Sequence, residues 1–203
     1  MKSETAILVL AAGSSSRMGK AKQLLPFKNE TLLNNVLQTA ITANIGKVYC
    51  VLGANFKVVN DSIQGQLPVK AIENPKWALG MGSSIKCGLQ KIREKEPRLK
   101  NLLITLADQP LVSSNHLTNL VQASNRFPNK IIATRYKNKK GVPALFPFNF
   151  FDNISQIHDQ FGSKQLINQS DNAIAIDCDL KELFDIDTPT DYKTLTNETE
   201  INK

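Results

Sequence analysis

Strands made of consecutive apolar residues are the feature that most constrains the fold of this 203-residue chain. The stretch TAILVL at residues 5–10 and the stretch KVYCVLG at residues 47–53 lack the alternation of a half-exposed strand. Such runs are typical of strands buried on both faces of a parallel sheet. Between them, apolar residues recur at helical spacing after Thr31, a residue type that caps helices. This order predicts an α/β fold with three layers, α/β/α, and a mostly parallel sheet.

The same alternation continues along the rest of the chain. Further strands are predicted at residues 69–72, 101–107, 130–134, 142–146, 173–176 and 183–186. Further helices are predicted at residues 56–63, after Ser83 or Ser84, after Ser113 or Ser114, and from Thr188 and Pro189 onward. Because no repeat or linker interrupts this order, residues 1–203 are expected to form one domain, with a disordered polar tail after about residue 195.

The net charge of +7 raises the question of nucleic-acid binding. The lysines are scattered and no aromatic stacking array accompanies them, so a nucleic-acid partner is not expected. The densest basic cluster, residues 135–141, fits either an exposed hairpin or one wall of a site for a small anion. No apolar run is long enough to span a membrane. Cys50, Cys87 and Cys178 give no disulfide or zinc-ligand spacing, so we expect small buried side chains and a cytoplasmic protein.

The segment AAGSSSRMGKAK, which follows the first strand, has the chemistry of a phosphate-binding loop. A dinucleotide fingerprint is excluded because only Gly13 and Gly19 are present. A Walker A loop is excluded because five residues separate these glycines and Lys20 is followed by Ala21. Small residues nevertheless let backbone N–H groups approach an anion, and basic side chains offset its charge. The candidates are Arg17, Lys20 and Lys22; the alternative is a flexible surface loop with incidental basic residues.

Carboxylates follow two of the predicted strands. Asp108 ends the strand at 101–107, and Asp185 and Asp187 end the strand at 183–186. Because ligands of such sheets lie beyond the carboxyl ends of the strands, these residues predict a divalent cation held between carboxylates and phosphates. The alternative makes Asp187 a helix N-cap and Asp108 a turn residue. The glycines and serines of residues 73–88 offer groups that read a base or ribose. Trp77 is expected to be a packing anchor, and the alternative is a stacking platform.

Four blocks of the sequence resemble those of a known family. LAAGSSSRMGKAKQLLP is similar to the signature of the molybdopterin-dinucleotide nucleotidyltransferases, a MobA-like NTP transferase family. NPKWALGMGSSI, LADQP and DIDTPTDY resemble the corresponding blocks of its molybdenum cofactor cytidylyltransferase branch. The resemblance runs from Leu8 to about Tyr192. It implies a Rossmann-like fold of the nucleotide-diphospho-sugar transferase type and Mg²⁺-dependent transfer of a nucleotidyl group.

The resemblance also implies roles for particular residues. Arg17 and Lys22 would face the β and γ phosphates, and with Asp108 they form the expected catalytic set. Asp108 would ligate Mg²⁺ with Asp187 as the second carboxylate, for which Asp185 is the main competitor. The residues expected to bind the nucleotide are Leu10, Ala11, Ala12, Gly13, Ser14, Arg17, Lys22, Asn74, Gly82 and Ser83.

The implied reaction is in-line attack of an acceptor phosphate on the α-phosphorus of a nucleoside triphosphate. The pair Ala12-Gly13 accompanies cytidine in this family, so CTP is favoured over GTP. The expected acceptor is the terminal phosphate of molybdopterin, with a recipient molybdoenzyme or its chaperone as a further partner. An ionised phosphate nucleophile needs no general base, so His116 and His158 are expected to be surface residues without a catalytic role.

The sequence departs from the family pattern in its second half. Val142 stands where the cytidylyltransferase branch usually has histidine, and the segment at residues 161–166 lacks an acidic residue that the branch often has there. These regions would face the acceptor. A guanylyl, sugar-phosphate or polyol-phosphate nucleotidyltransferase and a non-catalytic protein that binds nucleotide and delivers a cofactor therefore remain as alternatives.

Overall fold

A computed structural model describes residues 4–63, 67–169 and 172–201. Its strands are β1 (Thr5–Ala11), β2 (Pro26–Phe27), β3 (Glu30–Thr31), β4 (Lys47–Leu52), β5 (Val69–Glu73), β6 (Asn101–Leu106), β7 (Ile131–Tyr136), β8 (Lys139–Pro147) and β9 (Ala173–Ile176). Its α-helices are α1 (Leu32–Thr42), α2 (Phe56–Ile63), α3 (Met81–Lys95), α4 (Ser114–Arg126), α5 (Phe151–Ser155), α6 (Lys164–Gln169) and α7 (Pro189–Ile201).

The central sheet has seven strands in the order β5-β4-β1-β6-β8-β7-β9. Strands β5, β4, β1 and β6 are parallel to one another, and β9 is parallel to β7. Strand β8 is antiparallel to both of its neighbours, and β2 and β3 form a separate hairpin. The prediction of a mostly parallel sheet is confirmed, and the carboxyl ends of β1, β4, β5 and β6 lie along one edge.

Alternate side chains of β1 enter two different cores, which explains its continuous apolar run. Leu8 packs on one face of the sheet in a cluster with Ile85 of α3. Ile7 packs on the other face in a cluster with Leu33 of α1 and Leu117 of α4. Full burial of each such side chain contributes about 1.5–3 kcal/mol. Helices therefore cover both faces of the sheet, as the three-layer prediction requires.

Two predicted helix starts are confirmed by their caps. The side chain of Thr31 accepts a hydrogen bond from the N–H of Asn34, and the side chain of Ser113 accepts one from the N–H of His116. The start predicted at Ser83 or Ser84 is wrong, since α3 begins at Met81 after Gly80. Gly80 has φ of 125°, a conformation that favours glycine, and it starts the helix without a side-chain cap.

The strand predicted at residues 183–186 is also wrong. A short 3-10 helix, Leu180–Leu183, occupies its start, and Asp179 caps that helix by accepting a hydrogen bond from the N–H of Lys181. The N–H of Ile186 then donates to the carbonyl of Asp108 at 2.9 Å. This contact draws the segment across the end of β6. Helix α7 continues to Ile201, beyond the point at which the polar tail was expected to begin.

His116 is buried, which corrects the prediction that it lies on the surface. It is 3% exposed, and its Nε2 lies 2.7 Å from Oγ1 of Thr134 on β7. His158 is exposed, as expected, and so is much of the basic cluster, which forms the turn between β7 and β8. Cys50 is buried, whereas Cys87 and Cys178 are partly exposed. Among the described residues, no helix is both long and apolar enough to cross a membrane.

Candidate active site

A cleft of about 540 Å³ opens at the carboxyl ends of the parallel strands. Its floor is the end of β1 and the loop that follows. Its remaining walls come from the segment between β5 and α3, the end of β6, and the segment before α7. The lining residues are Leu10, Ala11, Ala12, Gly13, Ser14, Ser15, Ser16, Arg17, Lys22, Gln23, Trp77, Ala78, Gly80, Met81, Ser84, Leu106, Ala107, Asp108, Asp185 and Asp187.

The loop after β1 is held by hydrogen bonds to its own side chains. Gln23 is 3% exposed, and its Nε2 donates to the carbonyls of Ala11 at 2.9 Å and Gly13 at 3.0 Å. The hydroxyl of Ser15 donates to Oε1 of Gln23 and accepts from the N–H of Lys22. Gln23 therefore fixes the shape of the loop, a role that no motif in the sequence indicates.

Lys22 lies between two carboxylates from distant parts of the chain. Its Nζ is 2.8 Å from Oδ2 of Asp108, 3.1 Å from Oδ1 of Asp187 and 2.9 Å from the carbonyl of Ile186. Arg17 contacts the other oxygen of Asp187 at 3.1 Å. The structure thus brings together Arg17, Lys22, Asp108 and Asp187 as the sequence predicted, with the ammonium of Lys22 at the centre.

Asp187 is free to face the cleft because another residue pair caps α7. The N–H of Thr188 donates to Oδ2 of Asp191 at 2.7 Å, and the N–H of Asp191 donates to Oγ1 of Thr188 at 3.2 Å. This reciprocal arrangement is a capping box. The hydrogen bonds from Thr188 lower the pKa of Asp191. The alternative in which Asp187 serves as the N-cap is therefore not supported.

Asp185 takes part in a separate hydrogen-bond chain. Nε2 of the buried Gln109 donates to Oδ1 of Asp185 and to the hydroxyl of Tyr136, each at 2.8 Å. The hydroxyl of Tyr136 in turn donates to the carbonyl of Val142. Loss of hydration raises the pKa of Asp185, and the nearby charges of Asp108 and Asp187 add to this effect. The geometry therefore pairs Asp187, rather than Asp185, with Asp108 around Lys22.

The carboxylate of Asp108 retains an unused ligand atom. Its Oδ1 is buried and has no hydrogen-bond partner in the described structure. No group of three or more His, Cys, Asp or Glu side chains suited to a metal ion occurs among the described residues. Magnesium typically binds proteins through only one or two carboxylates and takes its other ligands from phosphate and water. The pair Asp108 and Asp187 has that composition and already holds one cationic group, so it fits a divalent ion.

The remaining predicted nucleotide-binding residues divide into two groups. Five of them line the cleft: Leu10, Ala11, Ala12, Gly13 and Ser14. Asn74, Gly82 and Ser83 are not part of its lining. The amide of Asn74 donates to the hydroxyls of Ser83 and Ser84, each at 3.0 Å. A Cβ on Gly82 would lie 2.2 Å from the carbonyl oxygen of His158. These three residues therefore support the wall between β5 and α3 without lining the cleft themselves.

The ends of the strands carry a small-residue loop, basic side chains and paired carboxylates, a combination that suits a protein acting on nucleotides. The family model of the MobA-like NTP transferase domain matches residues 7–173. The chain therefore belongs to this family, which confirms the resemblance seen in the sequence. It also places the protein among nucleotidyltransferases.

Two relatives of similar sequence carry names that describe different functions. The chain is 32% identical over 132 residues to nicotine blue oxidoreductase of Paenarthrobacter nicotinovorans, a match that covers 64% of this chain and 61% of that protein. It is 27% identical over 194 residues to the purine catabolism protein PucB of Bacillus subtilis, covering 90% of this chain and 91% of PucB.

Solved structures share the whole fold. Rv0371c of Mycobacterium tuberculosis is 26% identical, with a TM-score of 0.79 and coverage of 96% of this chain and 98% of its own. A structure of Rv0371c in complex with manganese has a TM-score of 0.74 at 25% identity and covers 94% of this chain and 97% of its own. At 16% identity, molybdopterin-guanine dinucleotide biosynthesis protein A of Archaeoglobus fulgidus shares the fold with a TM-score of 0.71, covering 96% of this chain and 98% of its own.

Proposed function

We propose that this protein transfers CMP from CTP to the terminal phosphate of a molybdopterin-type acceptor and releases pyrophosphate. The observation that carries the proposal is the position of Lys22, whose Nζ lies 2.8 Å from Asp108 and 3.1 Å from Asp187. Carboxylates and cations that meet beside a loop of small residues suit a metal-bound polyphosphate better than an uncharged ligand. Membership of the MobA-like NTP transferase family supports the same reaction class.

The proposed resident metal is Mg²⁺, held by Asp108 and Asp187. When bound, it would supply Lewis-acid activation and align the phosphate oxygens. The buried, unpartnered Oδ1 of Asp108 supports this assignment. The manganese complex of Rv0371c is consistent with the use of a divalent ion by a relative.

The protein's own contribution is positioning and charge stabilisation. In the proposed step, a bond forms between an acceptor phosphate oxygen and the α-phosphorus of CTP. The bond from the α-phosphorus to the bridging oxygen breaks, and pyrophosphate leaves with its electron pair. Arg17 and Lys22 offset the charge that grows on pyrophosphate, while the loop fixed by Gln23 orients the nucleotide. No protein base is required, and the burial of His116 on α4 agrees with its absence from the reaction.

The proposed selectivity for the nucleotide and the proposed selectivity for the acceptor rest on different residues. The pair Ala12-Gly13, which lines the cleft, favours CTP by analogy with the cytidylyltransferase branch. Asn74, Gly82 and Ser83 support the nucleotide site by holding its wall. On the acceptor side, Val142 replaces the usual histidine, which favours testing sugar and polyol phosphates as alternative acceptors. A recipient molybdoenzyme or its chaperone is the proposed protein partner.

The test measures pyrophosphate released with CTP, GTP or ATP in the presence of Mg²⁺ and each candidate acceptor. Release with CTP and molybdenum cofactor supports the full proposal. Release with GTP, or with a sugar or polyol phosphate, supports the corresponding alternative. Tight CTP binding without pyrophosphate release in the presence of any acceptor supports a delivery protein. If no nucleotide binds and no pyrophosphate is released, the proposal is contradicted.

A further inference from the structure

The charges of the cleft are confined to one of its ends. Among the described residues that line the cleft, the charged side chains are those of Arg17, Lys22, Asp108, Asp185 and Asp187, and they meet beside the end of β6. The opposite wall, formed after β5 and at the start of α3, consists of Trp77, Ala78, Gly80, Met81 and Ser84. Since the triphosphate requires the charged end, the nucleoside of a bound nucleotide must extend toward this neutral end.

Trp77 is fixed at the neutral end by an unusually close approach to the backbone. A Cβ on Gly53 would lie 2.3 Å from Cβ of Trp77 and 2.7 Å from the carbonyl oxygen of Ala12. The φ angle of Gly53 is outside the left-handed region, so glycine is needed here for space rather than for conformation. The absence of a side chain at position 53 therefore lets Trp77 pack directly against the backbone of Gly53 at the end of β4.

The same wall carries one oriented polar group. The N–H of Lys76 donates to Oδ1 of Asn74, so the amide nitrogen of Asn74 must face Ser83 and Ser84. Ser84 thus accepts from Asn74, and its own hydroxyl hydrogen has no acceptor within the described residues. The neutral end therefore offers an aromatic wall and a hydrogen-bond donor, which suits a nucleoside.

We infer that Trp77 is a specificity-determining residue, which closes the neutral end of the cleft so that a pyrimidine fits and a purine does not. This inference rests on the proposed function. Ala12 and Trp77 both line the cleft, and the single ring of cytosine needs less room beside them than the double ring of a purine. The predicted packing role of Trp77 stands beside this one, since the residue packs against the core and Gly53 and also lines the cleft.

Trp77 is the only tryptophan of the chain, so intrinsic fluorescence reports on this position alone. The wild-type protein is titrated with CTP, GTP and tripolyphosphate in the presence of Mg²⁺, and binding is measured independently by calorimetry. We expect CTP to change the emission and tripolyphosphate to leave it unchanged, because only CTP reaches the neutral end. Bound CTP that leaves the emission unchanged would overturn the inference while the proposed function stands.

Variants then test selectivity by calorimetry. Trp77→Ala is expected to lower the preference for CTP over GTP by about tenfold or more, a size typical of steric discrimination in a pocket. Trp77→Phe should retain part of the preference and guards against misfolding of the alanine variant. Leu79→Ala is the matched control, because Leu79 is on the same turn, 49% exposed, and outside the cleft lining.

An unchanged preference in folded Trp77→Ala and Trp77→Phe overturns the inference alone. Wild-type protein that binds GTP as tightly as CTP also overturns it, although nucleotidyl transfer would remain possible. Wild-type protein that binds no nucleoside triphosphate contradicts the inference and the proposed function together.

Discussion

Nζ of Lys22 lies 2.8 Å from Oδ2 of Asp108, although 86 positions separate the two residues along the chain. Both side chains are largely shielded, with 16% of Lys22 and 23% of Asp108 exposed. Lys22 therefore balances the negative charge of the carboxylates in the ligand-free protein. A metal ion at the same carboxylates must compete with this ammonium, while a triphosphate offers the ammonium another anionic partner.

The first prediction concerns removal of the Lys22 charge. Lys22→Met keeps an unbranched side chain but leaves Asp108 and Asp187 without their shared cation. We expect Mn²⁺ to bind the nucleotide-free variant about tenfold more tightly than the wild type, because carboxylates freed of a competing charge attract the ion more strongly. Affinity for CTP should fall, since a phosphate contact is lost. Electron paramagnetic resonance of free Mn²⁺ measures the first effect and calorimetry the second.

Lys20→Met is the control for this prediction. Lys20 lies in the same loop but is exposed and outside the lining of the cleft. It should leave Mn²⁺ binding close to that of the wild type. Equal Mn²⁺ affinities for Lys22→Met and the wild type would show that Lys22 does not compete for the metal position.

The second prediction concerns Asp108. Asp108→Asn preserves shape but removes the charge at a buried oxygen that has no other partner. We expect metal-dependent pyrophosphate release to fall by about two orders of magnitude or more, since metal stabilisation of phosphoryl charge is worth several kcal/mol. Asp152→Asn, at a side chain that is 88% exposed on α5, should keep wild-type activity. Near-normal turnover by Asp108→Asn would remove Asp108 from the proposed metal site.

The parts of the fold predicted correctly depend on local signals. The apolar run of β1 and the caps at Thr31 and Ser113 need only neighbouring residues to be recognised. The predicted start of α3 is wrong because Ser83 resembles a cap, whereas it lies within the first turn and its hydroxyl donates to the carbonyls of Lys76 and Gly80, which precede the helix. The positive φ of Gly80 has no unambiguous signature in a single sequence.

The candidate site was predictable in composition but not in arrangement. Arg17, Lys22, Asp108 and Asp187 were identified from their motifs, yet the meeting of Lys22 with Asp187 joins residues 165 positions apart. The predicted surface position of His116 is wrong for a similar reason, because its partner Thr134 belongs to another element. Long-range pairings of this kind follow from how distant segments pack on the sheet, which local sequence patterns do not determine.

The third prediction concerns Gly13 and Gly82, which the sequence resemblance places together among the nucleotide-binding residues. A Cβ on Gly82 would lie 2.2 Å from the carbonyl of His158 and 2.5 Å from that of Phe161. Gly82→Ala should therefore destabilise the protein by about 1–3 kcal/mol through overpacking. A Cβ on Gly13 would meet nothing within 4 Å, so Gly13→Ala should keep wild-type stability and weaken CTP binding at the cleft. Urea unfolding and calorimetry measure the two effects.

The reverse pattern would contradict this division of roles. If Gly82→Ala is as stable as the wild type but binds CTP poorly, Gly82 contacts the nucleotide directly. If Gly13→Ala binds CTP normally, the backbone at Gly13 does not approach the ligand.

The final prediction concerns the pH dependence of stability. The hydroxyl of Thr134 donates to the carbonyl of Pro143, so it accepts from His116, which must carry its proton on Nε2. Burial lowers the pKa of His116 below its ordinary value of 6.5, while the charge of Glu182 opposes this effect. The neutral form is thus favoured in the folded state. Below pH 6.5 the unfolded chain takes up a proton that the folded protein resists, so stability falls as the pH decreases.

Urea unfolding between pH 7.5 and 5 checks this expectation, with a slope of at most about 1.4 kcal/mol per pH unit for one proton. His116→Gln should be less stable than the wild type at neutral pH. Its free energy of unfolding should change less between pH 7.5 and 5, because the titrating group is gone. His158→Gln, at an exposed histidine, should retain the wild-type slope. A His116→Gln profile as steep as that of the wild type would assign the pH dependence to other groups.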